Sequence, residues 1–260
     1  MVKKWLPNAY LCLIFFFLYA PIVVLVLFSF NASSRATGTW TGFSLEWYVE
    51  LFEDRQIRGA LGYTLIIAIL STAISMVVGT LSAIGVYKLR KKARGYVLNV
   101  NYLPIISPEI VTAIGLMILF QSIRLNFGFT TMLLAHIMFS IPYVILQVLP
   151  RLYAMDPNMA EAAMDLGATP WQAIRMVVVP EIRPGIFSGA LMAFTMSLDD
   201  FVISLFNTGN GVTNLSIEVY SMARRGIRPT VNALATLMVA IVFITVLIAN
   251  QIQLRKKVRG

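Results

Sequence analysis

At 260 residues, with 13% charged side chains and a mean hydropathy of +0.77, the chain holds about half the roughly 25% share of charge found in globular domains. It reads as an integral membrane protein. The net charge of +9 does not indicate a nucleic-acid partner, because the basic residues stand beside apolar runs rather than on a polar face of their own, and such charges orient a chain in a bilayer.

Lys3 and Lys4 precede an uncharged run from Leu6 to Asn31, longer than the roughly 7 to 15 apolar residues of a signal-peptide core. This predicts a retained first span over residues 9–30. The single cysteine, Cys12, lies inside it, which excludes an intrachain disulfide and a multi-cysteine metal site. Residues 32–60 form a loop with Trp40, Phe43, Trp47 and Tyr48 among Glu46, Glu50, Glu53 and Asp54. That pattern fits an aromatic belt with a short interfacial helix, or a docking surface for an extracytoplasmic partner.

Five further runs, 61–87, 99–122, 131–150, 185–206 and 231–254, are long enough to cross roughly 30 Å of hydrocarbon at about 1.5 Å per helical residue. Six transmembrane helices are predicted. The single histidine, His136, sits in the fourth run with no ligand-type residue at helical spacing; it reads as a packed or hydrogen-bonded structural histidine, and no metal site is expected. The segment NLSIEVYSMAR predicts a short helix at the outer mouth. Two-thirds of the 21 Lys and Arg fall at the amino terminus, in KLRKKAR (88–94), after the fourth run and in the tail RKKVR. Both termini are therefore placed in the cytoplasm, with Arg224, Arg225 and Arg228 standing against the rule late in the chain. No phosphate-binding GxxxxGK[ST] loop occurs. If transport is ATP-driven, ATP and Mg belong to a separate ATPase, and this chain binds no cofactor.

The polar-flanked stretch 156–180, DPNMAEAAMDLGATPWQAIRMVVVP, interrupts the apolar pattern. Asp156 followed by Pro157 is a helix start. Gly167 suits the left-handed position just past a helix end. Thr169 and Gln172 are spaced as a capping box with Pro170 between them. Pro180 and Pro184 are expected to close the second helix and return the chain to the membrane. The result is two short helices joined by a tight turn. Glu161, Ala162 and Ala163, then Gly167 and, after nine residues, Val177, Val179 and Pro180, resemble the EAA signature of the permease subunits of ABC importers. In that family the segment is the coupling helix that seats in a groove of the ATPase, and the resemblance gives Glu161, Ala162, Ala163, Gly167 and Pro180 that role. The family prefers Ile and Leu where this chain has Val177 and Val179.

Three acids stand within apolar runs: Glu109 after Pro108, and the pair Asp199 and Asp200. Each costs roughly 2.5 to 3.5 kcal/mol at a helix centre, so they should face a cavity or partners. Neither run holds a Lys or Arg, and a cationic ligand or a partner subunit is the expected counter-charge. On one continuous helix Asp199 and Asp200 would point about 100° apart, one to the path and one to a neighbouring helix. Tyr102, Phe194 and Phe201 offer π faces to an ammonium group, or simply pack the bundle.

Over nearly its whole length the chain resembles the permeases of spermidine/putrescine ABC transporters, through Asn31, EAAMDLGATPWQ, SLDDFVIS and SIEVYSMARRGIRPTVNALAT. The resemblance implies an all-α membrane protein of MetI-like fold, with six transmembrane helices and a coupling-helix pair between the fourth and fifth. It also implies an assembly with a second permease, two ATPase copies and an extracytoplasmic polyamine-binding protein in the cytoplasmic membrane. A permease for another cation or small organic solute fits the same residues. An ion-driven secondary transporter would also use intramembrane carboxylates but has no reason to carry the capped helix pair. A hydrolase would need a nucleophile and base or metal ligands beyond one buried-type His and one Cys.

Overall fold

The computed structural model describes residues 5–34, 39–225 and 229–258; Lys3, Lys4, Arg228 and Arg259 lie outside the described residues. The chain is helical: α1 (Trp5–Ser29), α2 (Glu46–Glu53), α3 (Arg55–Lys88), α4 (Lys91–Ile106), α5 (Glu109–Ser122), α6 (Phe129–Ala154), α7 (Met159–Asp165), α8 (Pro170–Ala173), a π-helical turn (Ile174–Val178), α9 (Val179–Glu181), α10 (Arg183–Asp199), α11 (Val202–Asn207), α12 (Leu215–Arg225) and α13 (Pro229–Val258). Helices α1, α3 and α6 are long and apolar enough to cross a membrane. Two bent pairs also qualify, α4 with α5 and the Pro170–Glu181 stretch with α10. The chain divides into two compact units, one of Met1–Gly59 with Glu218–Leu247, the other of Ala60–Ile217 with Ile248–Gly260.

In the smaller unit the buried Asn31 organises the loop that follows α1. Its Oδ1 accepts from the Thr41 N–H at 2.9 Å and its Nδ2 donates to the Thr39 carbonyl at 3.1 Å. Its own carbonyl accepts from Trp47 Nε1 at 2.7 Å, and Tyr48 Oη pairs with Ser29 Oγ at 2.7 Å. The four loop aromatics therefore divide. Trp47 and Tyr48 have their polar tips tethered inside, whereas Trp40 and Phe43 are exposed. The buried Glu218, which the sequence pattern did not single out, accepts from Gln56 Nε2 at 2.9 Å.

In the larger unit α6 is the axis, more deeply buried than α3. Small residues let its neighbours close on it. A Cβ added at Gly79 of α3 would stand 2.8 Å from the Val144 side chain, and one at Gly189 of α10 would stand 3.2 Å from Val144 Cα. Both contacts fit helix association in lipid, where close packing replaces the hydrophobic drive. Val144, Val148, Leu152 and Ile182 continue this core.

Three expectations are corrected. The run 99–122 is not one straight helix: α4 and α5 meet at 107°. Proline pushes its predecessor out of the helical region and offers no N–H, and Ser107 and Pro108 accordingly have ψ of 146° and 133°. The run 185–206 is likewise divided, between Asp199 and Val202. Pro180 does not end its helix either; it lies within α9, and the chain bends at Ile182, with α10 at 73° to the preceding stretch. The π turn ahead of it explains this. There the Val179 N–H reaches back five residues to the Ile174 carbonyl, and the widened turn eases the clash between a proline ring and the carbonyl four residues before it.

A glycine that admits Val144 should not tolerate a side chain. Gly79→Ala should lower the stability of the purified chain in detergent by about 1 to 3 kcal/mol, as overpacking does. Gly62→Ala, on the same helix with nothing within 4 Å of the added carbon, should leave it unchanged or raise it. Thermal unfolding of the two variants checks the contrast.

Candidate functional site

The helix breaks place the acidic residues. Glu109 is the first residue of α5 and is exposed; Asp199 is the last residue of α10 and is exposed; Asp200 is buried. Asp200 is extended, with φ −64° and ψ 125°, so the two aspartates do not lie on one helix, and the 100° relation expected of them does not hold. Asp200 turns into the protein instead. Its Oδ1 accepts from the Ile203 N–H at 3.0 Å, and its Oδ2 accepts from the Ser204 N–H and Ser204 Oγ, both at 2.7 Å. It thereby satisfies free N–H groups of the first turn of α11, a cap set one residue further out than usual.

Asp199 differs. Its carboxylate accepts no hydrogen bond among the described residues, and only its backbone carbonyl is engaged, by Ser216 Oγ at 3.4 Å. Glu109 lies within electrostatic reach of both aspartates and of Tyr143. Asn207, whose Nδ2 donates to the Ala113 carbonyl at 3.2 Å, ties α11 to α5 beside them. The three acids thus converge, although 90 residues separate Glu109 from Asp199. Of the aromatic candidates, Phe201 is half-buried at the break itself and Tyr102 half-buried in α4. The aromatic brought to Glu109 is Tyr143 of α6, set edge-on to Phe139 at 5.4 Å. A lone Tyr in an apolar run carries no signal that would have marked it. Asp200 is hydrogen-bonded from within the chain, by neutral donors.

The second feature is the helix pair. Asp156 Oδ1 accepts from the Asn158 N–H at 2.9 Å. Gly167 has φ +93°. Its N–H reaches the Met164 carbonyl at 2.9 Å, and that of Ala168 reaches the Ala163 carbonyl at 3.1 Å, the paired bonds of a Schellman motif. The Thr169 N–H donates to Gln172 Oε1 at 2.8 Å and the Gln172 N–H to Thr169 Oγ1 at 3.3 Å, completing the capping box. Glu161, Ala162 and Gly167 are exposed, and Ala163 and Pro180 half-buried. Beside them Leu166, Trp171 and Met176 are 90%, 60% and 71% exposed. These apolar residues, passed over in the sequence, give the pair an uncovered apolar surface.

Residues 75–259 match the family described as "Binding-protein-dependent transport system inner membrane component". The chain belongs to this family. It is 35% identical over 260 residues to the "Spermidine/putrescine transport system permease protein PotC" of Escherichia coli (strain K12), covering 100% of this chain and 98% of that one. It is 36% identical over 256 residues to the protein of the same name in Haemophilus influenzae, covering 98% and 99%. To the E. coli "Putrescine transport system permease protein PotI" it is 38% identical over 243 residues, covering 90% and 86%. Among solved structures, a bacterial alginate ABC transporter chain superposes with a TM-score of 0.75 at 22% identity, covering 97% and 95%. A chain of the MetNI methionine ABC transporter gives 0.62 at 20%, covering 75% and 93%; both likenesses show the fold.

The two aspartates should separate in a stability measurement. Asp200→Ala orphans buried N–H groups of α11 and should lower stability by about 1 to 3 kcal/mol. Asp199→Ala, which loses no hydrogen bond, should stay within about 0.5 kcal/mol. Denaturation of the purified variants reads the difference.

Proposed function

We propose that the chain is the permease subunit of an ATP-driven importer of polyamines, spermidine or putrescine. The observation that carries this reading is the pair of exposed acids at helix breaks, Asp199 closing α10 and Glu109 opening α5 within its electrostatic reach, in a chain similar over its full length to a named spermidine/putrescine permease. Two carboxylates in low dielectric attract an ammonium group, and weak successive contacts let it leave again. Tyr143 offers a ring face beside them.

In this reading the polypeptide crosses the cytoplasmic membrane six times, by α1, α3, the α4–α5 pair, α6, the α10–α11 pair and α13, with both termini in the cytoplasm. A second permease completes the path. A dimer of ATPase subunits, holding ATP and Mg, binds the α7–α8 pair, and an extracytoplasmic binding protein delivers the substrate. Glu161 supplies a charge to the ATPase, Ala162 and Ala163 permit close approach, Gly167 and Pro180 shape the pair, and Leu166, Trp171 and Met176 provide apolar contact. The capped turn makes the pair stiff enough to carry motion from the ATPase to α10.

Reconstituted with its partners in liposomes, the wild-type complex should take up labelled spermidine or putrescine only with ATP, and unlabelled polyamine, not a neutral amino acid, should compete. Uptake without an ATPase would reject the reading. Asp199→Asn should lower uptake about tenfold, equivalent to 1.4 kcal/mol of lost cation contact, with the complex still assembled on size-exclusion chromatography. Replacing Gly167 with Val forces a branched side chain to positive φ, a cost of about 1 to 2 kcal/mol. It should reduce transport-coupled ATP hydrolysis with the membrane bundle intact; unchanged coupling in the reconstituted complex counts against the helix pair as the contact.

A further inference from the structure

We propose that His136 is a positioning residue, which through buried hydroxyl groups clamps the Asp200 carboxylate onto α11 and leaves Asp199 as the acid free to meet an ammonium group. The proposal rests on the cation-transport reading above.

Six polar residues gather at the break between α10 and α11: Ser71 of α3, His136 of α6, Ser197 of α10, Asp200, Ser204 of α11 and Asn214. None is more than 5% exposed. Counting hydrogens orients the bonds around the ring. Asn214 Oδ1 accepts from the Ile217 N–H at 2.9 Å, so its other end is the amide nitrogen, which donates to Ser204 Oγ at 2.7 Å and to the Asp200 carbonyl at 3.1 Å. Ser204 Oγ has one hydrogen and gives it to Asp200 Oδ2 at 2.7 Å. Towards His136 Nε2, 2.9 Å away, Ser204 can therefore only accept, and Nε2 must carry a hydrogen. The same nitrogen stands 3.4 Å from Asp200 Oδ2.

On the other side of the ring the one hydrogen of Ser71 Oγ is shared between the Ala68 carbonyl at 3.3 Å and Ser197 Oγ at 3.2 Å. A neutral ring with its hydrogen on Nε2 leaves Nδ1 as an acceptor, so Ser197 Oγ, 2.7 Å away, donates to it. His136 is thus an imidazole with its hydrogen on Nε2, donating to Ser204 and accepting from Ser197. Asp200 cannot swing towards a passing cation without orphaning the N–H groups of Ile203 and Ser204. The ring is the only member that joins the hydroxyls of α3 and α10 to those of α11 among the described residues. Removing its donor loosens the break that presents Asp199.

The test uses the reconstituted complex with two replacements. His136→Phe keeps a ring and removes both nitrogens; His136→Gln keeps an N–H donor and an acceptor. Losing the ring's hydrogen bonds to Ser204 and Ser197 should raise the KM for polyamine about tenfold in His136→Phe, with kcat within about threefold of wild type, and His136→Gln should recover most of the loss. A space-filling role reverses that order, and either the reverse order or equal KM values overturn the proposal. Should His136→Phe fail to assemble, the wild-type protein decides. The chain has one histidine, so the difference between 15N-histidine spectra of wild-type and His136→Gln complexes isolates it. A ring with hydrogen on Nε2 and a bare Nδ1 is expected; hydrogen on Nδ1, alone or with Nε2, overturns the proposal. If the wild-type complex takes up no polyamine the substrate reading falls, while the ring spectrum still rules on the clamp.

Discussion

Hydrocarbon offers no hydrogen bonds, so a broken helix within a membrane protein must satisfy its loose N–H groups from its own chain. At the start of α11 that duty falls to the Asp200 carboxylate. The rest of the site depends on it. Because Asp200 is committed to the backbone, α10 can stop at Asp199 without leaving α11 unsupported, and Asp199 can stand at a helix end with its carboxylate unengaged. Asn207 and Thr131 extend the same logic, with Thr131 Oγ1 bonded to the Asn207 carbonyl at 2.8 Å where α11 finishes.

Close packing supplies the other half of the support. Polar links orient helices but do not hold them at a fixed distance. Gly79 and Gly189 do so by letting α3 and α10 rest on Val144. Serines 71 and 197 then come within 3.2 Å of each other, and His136, on the same helix as Val144, lies between Ser197 and Ser204. Steric fit and hydrogen bonding are thus coupled: a side chain added at either glycine would separate groups about two turns away.

How much of this is legible in the sequence depends on how far each feature reaches along the chain. The helix pair is legible almost residue by residue, because Asp156, Gly167, and Thr169 with Gln172 act on backbone groups two to five positions away. His136 reads correctly as a structural histidine. The division between Asp199 and Asp200 is not legible, since it is set by Ser204, Asn214 and His136, the last more than 60 residues distant in the chain. The loop aromatics mislead for the same reason. Trp40 and Trp47 look alike until Asn31 tethers one of them. Pro180 misleads locally, because a widened turn accommodates a proline that an ordinary α-helix would end at. Family membership is legible in the EAA spacing and is borne out by the match over 75–259.

The positions of the three acids relative to their helices have an electrostatic consequence. Aligned peptide dipoles leave a helix partly positive at its amino end and partly negative at its carboxyl end. Glu109 opens α5 and Asp200 precedes α11, so each carboxylate sits in the positive field of the helix that follows it. Asp199 closes α10, where the field is negative and adds to its own charge. The field of the helix ends therefore differs across three chemically similar groups, opposing the charge of Glu109 and Asp200 and reinforcing that of Asp199, a difference created by where the helices start and stop rather than by any added charge.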